Sequence, residues 1–436
     1  MHLRGQRRKK SQGRRLGQIR RDWWEAQKPQ VVRPLLFRVG PLVRGPYPFP
    51  HHHLLGLGAG LGRGGLLHPR KGGESGLRGP SGPKGGQICL PRCEEAPFPS
   101  GSPSRGALQV VRGRVLALDA LRGLAVLLMV VWHFLVWLSE GARGAFVLVG
   151  RMPFGYLAGP LFLLSTGMAT RLSVARRRRR GEQWGRILLH FVKRCVALVL
   201  GGVALNFVLW GSRSVWIWDV LEAIGASNLF IVLLLRLGFS NLALGATASL
   251  VVALPWAGFD APGWLPLPLR NALLEGVFPL FPWLGFAIVG AICGGWLLEG
   301  RLRLVLALGA ALLTLGLALN EVWPIRFSPK CPSFAPFSIG VGLLLFWLLL
   351  LAERGGALKP SFPLIHLGRT ALGIYVWHYL GGLNLLRLLG AVGKVPIPFG
   401  LLISLLSPLP FWLGARLWLG LKGRFRPIIG PLQGGS

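Results

Sequence analysis

The sequence predicts an all-α membrane protein, a polytopic bundle of about ten transmembrane helices with both termini in the cytoplasm. Mean hydropathy is +0.51 and 52% of the residues are hydrophobic, as expected of a chain surrounded largely by lipid. Beyond residue 115, apolar stretches near the ~20 residues needed to cross a bilayer follow one another with short polar breaks. Basic residues cluster after every second stretch, which places these ends on the cytoplasmic side.

The ten predicted spans follow one another without a long interruption. In order they are 117–138, 154–173, 186–209, 219–236, 241–258, 278–298, 303–320, 336–352, 364–386 and 398–420. The basic clusters after the even-numbered spans are Arg176 to Arg180, Arg236, Arg301 with Arg303, Arg354 with Lys359, and Lys422 with Arg424 and Arg426. The run of five arginines therefore predicts a topology anchor rather than a nucleic-acid site, although the formal charge is +35.

Residues 1–110 form a region of different composition, rich in Arg, Gly and Pro and without a sustained helical or strand period. We predict a disordered basic tail, or a stretch foreign to the native protein with an alternative start near Val110 or Val111. His51 to His53 and the Cys89–Cys93 pair do not predict a metal site, because no second ligand pair follows at finger-like spacing. The membrane domain is expected over 111–426, followed by a short tail, 427–436.

The first span contains ionisable residues that need a physical reason. A charge at membrane depth costs a few kcal/mol or more unless it is paired or faces a wet cavity. Asp119 and Arg122 are three residues apart, a pairing distance on a helix. His133 follows eleven residues after Arg122, about three turns and ~16 Å along the axis. We predict an Asp119–Arg122 pair near the cytoplasmic end and a deeper histidine on the same face. The alternative is that the pair only pins the helix while His133 satisfies a carbonyl.

A second group of polar residues lies in the ninth span. Arg369 is at its cytoplasmic edge, and Tyr375 and His378 are three residues apart on one face. The helical rise puts His378 and His133 at similar depths, so we expect them to meet. A neutral histidine suits general-base work near pH 7, whereas the alternative for His378 is a packing role. At the start of the fourth span, Asp219 and Glu222 are predicted to be solvated charges rather than sugar contacts.

Five phrases of the chain occur in the order found in one known family. They are RVLALDALRGLAVLLMVVWHF, GPLFLLSTGMA, WDVLEAIGASNLF, FPLFPWLGFAIVGAICG and LGRTALGIYVWHY. The ordered set, covering residues 114 to about 420, resembles the bacterial relatives of heparan-alpha-glucosaminide N-acetyltransferase. The resemblance implies a multispan acyltransferase of the inner membrane that passes an acyl group, acetyl in view of the family, from cytoplasmic acyl-CoA to a sugar or cell-envelope glycan outside.

The same resemblance implies roles for individual residues. Asp119, Arg122 and Arg369 would bind the acyl donor, and His133, His378 and Tyr375 would act in catalysis. The chain departs from the family at His133, where relatives usually carry Asn or another polar group, and residues 139–151 lack the histidine that relatives place just beyond the first segment. Direct transfer with His133 as base is therefore predicted rather than a covalent acyl-histidine. The oxyanion donor stays open among Tyr375, Ser165 and His378.

The expected partners are the bilayer, acyl-CoA and a glycan acceptor carrying an amine or hydroxyl, with neither nucleic acid nor a metal. The alternative function is a secondary transporter or carrier of a small polar molecule or glycan precursor. A transporter is expected to show two corresponding halves with matching interrupted segments, and the sequence has no such repeat. The sequence does not indicate an oligomeric state.

Overall fold

The computed structural model describes residues 114–142, 147–149, 152–258, 261–328 and 331–425. The predictions for the basic tail, including the histidine run at residues 51–53, the two cysteines near residue 90 and the alternative start, lie outside these residues. The predicted C-terminal tail, 427–436, also lies outside them.

The described residues are mostly helical, which confirms the predicted all-α class. The α-helices are α1 Leu116–Leu138, α2 Ala158–Arg179, α3 Trp184–Trp210, α4 Val220–Arg236, α5 Asn241–Ala253, α6 Leu267–Arg270, α7 Leu280–Glu299, α8 Leu302–Asn320, α9 Phe334–Arg354, α10 Pro363–Arg369, α11 Ala371–Trp377, α12 Asn384–Leu388, α13 Ile397–Leu406 and α14 Pro408–Phe425. Short 3₁₀ turns cover Phe154–Leu157 and Ser212–Ser214, and π-helical turns cover Asn271–Glu275 and His378–Leu383. A small antiparallel hairpin, β1 Val147–Val149 and β2 Met152–Pro153, precedes α2.

Seven helical stretches of the described chain are long and apolar enough to cross a membrane. They are α1, Phe154–Arg179, α3, α7, α8, α9 and Ile397–Lys422. The other three predicted spans coincide with α4 of 17 residues, α5 of 13 residues, and the interrupted run from α10 to α12. The count of ten and the orientation of the termini are therefore not confirmed and remain predictions. A hydropathy pattern counts apolar residues but does not reveal where an apolar run bends.

Helix α1 is the hub of the bundle. It packs against α2, α9, α10 and α13, and α2 in turn packs along α7. The apolar windows of α2 and α7 are mostly buried inside the protein, whereas those of α3 and α8 are mostly exposed. Exposed apolar helices of this kind fit contact with lipid tails, because the bilayer core is as apolar as the side chains. The polar residues of α1 therefore lie inside the bundle, away from the lipid-facing helices.

Several helix ends follow from local sequence. Asp219 accepts a hydrogen bond from the backbone N–H of Val220 and forms a capping box with Glu222 at the start of α4. Helix α7 ends at Gly300, whose φ of 75° suits the left-handed position after a helix. Pro363 opens α10, where its missing N–H costs nothing. Thr370 separates α10 from α11, and its hydroxyl donates back to the carbonyl of His366 at 2.9 Å.

Candidate functional site

Two glycines allow the backbones of α1 and α10 to touch. A Cβ at Gly123 would lie 1.8 Å from the carbonyl oxygen of Leu364, and a Cβ at Gly368 would lie 1.8 Å from that of Asp119. No larger residue fits at either position without separating the helices, as at small-residue crossings of membrane helices. Because Gly368 is followed by Arg369, the crossing brings Arg369 to the N-terminal turns of α1. The predicted donor-binding residues thus come together from two distant parts of the sequence.

Three arginines surround the carboxylate of Asp119, which is 3% exposed. Arg114 donates from Nε to Oδ2 and from an η nitrogen to Oδ1, the second bond at 3.2 Å. Arg122 and Arg369 lie 3.8 Å and 3.7 Å from the carboxylate oxygens. We call Arg114, Asp119, Arg122 and Arg369 the arginine cluster. One carboxylate cannot neutralise three guanidinium groups, so the cluster has an excess of positive charge and can attract an anion.

Ser165 lies at the arginine cluster. The sequence had made it one of three candidates for the oxyanion donor. Its carbonyl oxygen accepts a hydrogen bond from Arg122 at 3.3 Å, and its hydroxyl donates to the carbonyl of Phe162 at 2.8 Å. The hydroxyl therefore serves the α2 backbone, and the bond from Arg122 ties α1 to α2. The geometry favours Tyr375 or His378 over Ser165 for a role beside His133.

Glu353 supports the start of α1, a contact that the sequence did not predict. Its two carboxylate oxygens accept hydrogen bonds from the backbone N–H groups of Leu116 and Ala117 at 2.9 and 2.8 Å. The residue before α1 is Val115, which provides no side-chain cap, so the last turn of α9 supplies it. A carboxylate is favoured there because the N-terminus of a helix carries partial positive charge. In the sequence, the one feature that indicated such a contact was the lack of a capping residue before so long a helix.

His133 and His378 are in contact, as we expected from their similar predicted depths. Nδ1 of His133 lies 2.9 Å from Nε2 of His378, and the ring planes differ by 9°. Nδ1 of His378 lies 3.1 Å from the carbonyl oxygen of Ile374. His378 is fully buried, and it begins the π-helical turn His378–Leu383, a type of irregularity often found at functional sites.

Aromatic rings enclose the two imidazoles. The indole of Trp137 stacks on both rings, at 5.3 Å from His133 and 5.7 Å from His378 between ring centroids. Tyr379 contacts both imidazoles, and Tyr375 meets His378 edge to face at 5.5 Å. We call His133, Trp137, Tyr375, His378 and Tyr379 the histidine site. Its rings shield His378 from water, which strengthens electrostatic interactions around this imidazole.

A polar network joins the histidine site to the start of α4. The hydroxyl of Tyr375 donates to Oδ2 of Asp219 at 3.1 Å. Glu222 accepts hydrogen bonds at 3.3 Å from the backbone N–H of Asp219 and from the side-chain amide of Asn206. Glu222 is 1% exposed, so the prediction of a solvated charge is wrong for this residue. Two features keep Glu222 inside the bundle. Its side chain belongs to the capping box of α4, and it packs against Gly202, where an added Cβ would overlap the carboxylate.

The arginine cluster and the histidine site lie toward opposite ends of the same helix. The eleven residues from Arg122 to His133 correspond to ~16 Å along α1. This separation suits a long co-substrate with an anionic end and a reactive end. The two groups can therefore serve one elongated ligand, with phosphate recognition at one end and proton transfer at the other.

Among the described residues, no group of three His, Cys, Asp or Glu side chains is placed to hold a metal ion. The three described cysteines, Cys195, Cys293 and Cys331, are free thiols. The described residues bring imidazole, phenol, carboxylate and guanidinium groups to the site.

Residues 114–311 match the family model described as heparan-alpha-glucosaminide N-acetyltransferase, catalytic. No curated protein matches the chain. The matched residues include α1, with the donor-binding and histidine candidates of the first span, and α4 with Asp219. Arg369, Tyr375 and His378 lie beyond the match, and the fold brings them against α1. Residues 114–311 are therefore similar to the catalytic region of the heparan-alpha-glucosaminide N-acetyltransferase family, and this match supports a relation of the multi-pass membrane domain to membrane acyltransferases.

Proposed function

We propose that the protein is an integral membrane acyltransferase that takes an acyl group, acetyl in view of its family, from cytoplasmic acyl-CoA. The acceptor is an amine or hydroxyl of a sugar or cell-envelope glycan on the outer side of the membrane. We place the donor and the acceptor on opposite sides of the inner membrane because the basic clusters predict ten crossings with both termini in the cytoplasm. The observation that carries the proposal is that His133, which lies 2.9 Å from His378, is on the same helix as Asp119 and Arg122 of the arginine cluster.

The arginine cluster is proposed to hold the donor. Phosphates of acyl-CoA are polyanionic, and arginine binds phosphate oxygens through two N–H groups in a fixed fork. The excess of two guanidinium charges over the carboxylate of Asp119 supports this assignment. From this end, an extended pantetheine arm would follow α1 toward the histidine site. Arg122 would orient the donor rather than stabilise the reacting carbonyl, since it lies ~16 Å along the helix from His133.

His133 is proposed to act as the general base at the thioester. The nitrogen or oxygen of the acceptor forms a bond to the thioester carbon while its proton moves to the imidazole of His133. The carbon–sulfur bond then breaks, and the leaving sulfur takes the proton. A thioester is already activated, so a base and exclusion of water are the principal requirements. Tyr375 and His378 line the same site, where the hydroxyl of Tyr375 donates to Asp219.

The test is transfer of labelled acetyl from acetyl-CoA to a cell-envelope sugar fraction in membranes that contain the protein. We expect label with the intact protein, label with His190→Ala, and a loss of at least ~100-fold with His133→Ala, the usual contribution of a general base. His190 is the matched control because it is an exposed histidine on α3.

Equal transfer by His133→Ala and His190→Ala would remove His133 from the mechanism. No transfer from acetyl-CoA or longer acyl-CoAs, in membranes shown to contain folded protein, would favour the alternative of a transporter or carrier.

A further inference from the structure

We propose that His378 is a positioning residue, not a second base, and that it holds His133 in a single tautomer. In that tautomer Nδ1 of His133 carries the hydrogen and Nε2 is the basic nitrogen. The assignment deepens the proposed function and rests on it for its role in the reaction. The tautomer itself follows from the hydrogen bonds of the pair.

The backbone carbonyl of Ile374 decides the state of His378. A carbonyl oxygen only accepts hydrogen bonds, so Nδ1 of His378, 3.1 Å away, must carry the hydrogen. A neutral imidazole has one N–H, so Nε2 of His378 is then an acceptor. Neutrality follows from its complete burial among aromatic rings, where an imidazolium would lose its hydration.

The state of His378 determines that of His133. Nε2 of His378 offers a lone pair 2.9 Å from Nδ1 of His133, so this Nδ1 must donate. The ring planes differ by only 9°, which lets the N–H point along the lone pair in the plane of both rings. When His133 is neutral, its own lone pair is therefore on Nε2. The hydrogen bonds run in one direction, from His133 to His378 to the carbonyl of Ile374.

The surrounding contacts keep the pair in this geometry. Trp137 stacks on both imidazoles, with interplanar angles of 24° and 15°, and thereby holds the rings nearly coplanar. The carbonyl of Ile374 belongs to the last turn of α11, so its direction is set by the backbone. His378 cannot rotate away without leaving a buried ring N–H unpaired, which costs about 1–3 kcal/mol by typical values.

The chain of hydrogen bonds gives His378 a specific task during transfer. When the acceptor bonds to the thioester carbon, its proton moves to Nε2 of His133 and the ring becomes an imidazolium. The positive charge is then shared through the bond from Nδ1 of His133 to Nε2 of His378. When the carbon–sulfur bond breaks, Nε2 of His133 returns the proton to the sulfur, and both histidines are again neutral. Every bond and proton is accounted for without a further reactant.

The experiment compares two substitutions of His378 in the full-length protein in lipid bilayers. His378→Leu removes the acceptor for Nδ1–H of His133, whereas the side-chain oxygen of His378→Gln can replace it. We expect His378→Leu to lower kcat roughly 10- to 100-fold, as removal of an orienting partner usually does, with little change in KM for acetyl-CoA. His378→Gln should recover most of that loss, and His190→Leu, at the exposed site on α3, should leave kcat unchanged.

The direct readout is nitrogen NMR of protein labelled with ¹⁵N-histidine, with the His133 signals identified by their absence in His133→Ala. We expect Nδ1 of His133 to be protonated in the intact protein and a mixture of tautomers in His378→Leu. A wild-type His133 with the hydrogen on Nε2, or an unchanged kcat in a folded His378→Leu, would overturn the proposal. The NMR measurement needs no substrate, so it separates failure of this inference from failure of the acyltransferase assignment.

Discussion

Replacing Gly368 with alanine perturbs the crossing of α1 and α10 at a single point. The added Cβ would lie 1.8 Å from the carbonyl oxygen of Asp119, 2.8 Å from its carbonyl carbon and 2.9 Å from the nitrogen of Gly123. All three are backbone atoms of α1, so no side-chain rotation relieves the overlap. The two backbones would have to separate by roughly 1.6 Å to bring the shortest of these contacts from 1.8 Å to an ordinary 3.4 Å.

Overpacking a tight contact typically costs 1–3 kcal/mol, and we expect Gly368→Ala to lower the free energy of unfolding by about 3 kcal/mol because backbone must move. The same displacement would lengthen the 3.7 Å approach of Arg369 to Asp119 and weaken the arginine cluster. The assay is denaturant or thermal unfolding in detergent micelles, followed by measurement of acyl-CoA affinity.

The matched control is Gly373→Ala, five residues further along the same interrupted run. A Cβ at Gly373 would meet nothing within 4 Å, and alanine favours a helix over glycine by up to about 1 kcal/mol. We therefore expect Gly373→Ala to be neutral or slightly stabilising. If the two variants unfold alike, the close crossing of α1 and α10 is not present as described and the explanation of the arginine cluster fails.

Three further substitutions test other parts of the site. Glu353→Ala should lower the free energy of unfolding by about 1 kcal/mol because α1 loses the acceptor for two backbone N–H groups, whereas Glu321→Ala, at an exposed helix end, should change it by less than half as much. Asp119→Asn should lower the free energy of unfolding by roughly 1.5–3 kcal/mol and change acyl-CoA affinity, since three arginines lose their shared carboxylate. Unfolding curves and binding titrations of the same preparation measure both effects, and unchanged values would contradict the prediction. Tyr375→Phe should lower kcat less than about tenfold, because its hydroxyl already donates to Asp219, and a loss of 10²–10³ would instead identify the hydroxyl as the oxyanion donor.

Much of the helical framework could be predicted from the sequence, because an apolar run near the length of a bilayer crossing has few other stable structures. The interrupted ninth span shows the limit of this reasoning. Its apolar pattern continues through Thr370 and His378, whereas the structure divides it into three short helices and a π-helical turn. Hydropathy does not register these breaks, since they arise from local hydrogen bonding and from packing against α1.

The candidate residues were also visible in the sequence, because an ionisable group within an apolar run needs a partner or a function. The helical rise even predicted that His133 and His378 would lie at similar depths. Their hydrogen bond depends in addition on the rotation of each helix about its axis. That rotation is set by contacts between helices, and the spacing of residues along one segment does not reveal those contacts.

The sequence by itself determined the membrane class, the helical segments and the residue types available for chemistry, because these depend on hydrophobic length and on local spacing. Only the tertiary structure decided that Arg369 joins Asp119, that Glu353 caps α1 and that Glu222 is buried. These contacts join positions up to about 250 residues apart in the chain. The contact of Arg369 with Asp119 exists because glycines let α1 and α10 approach at one crossing, and such an approach is a property of paired surfaces rather than of either segment alone.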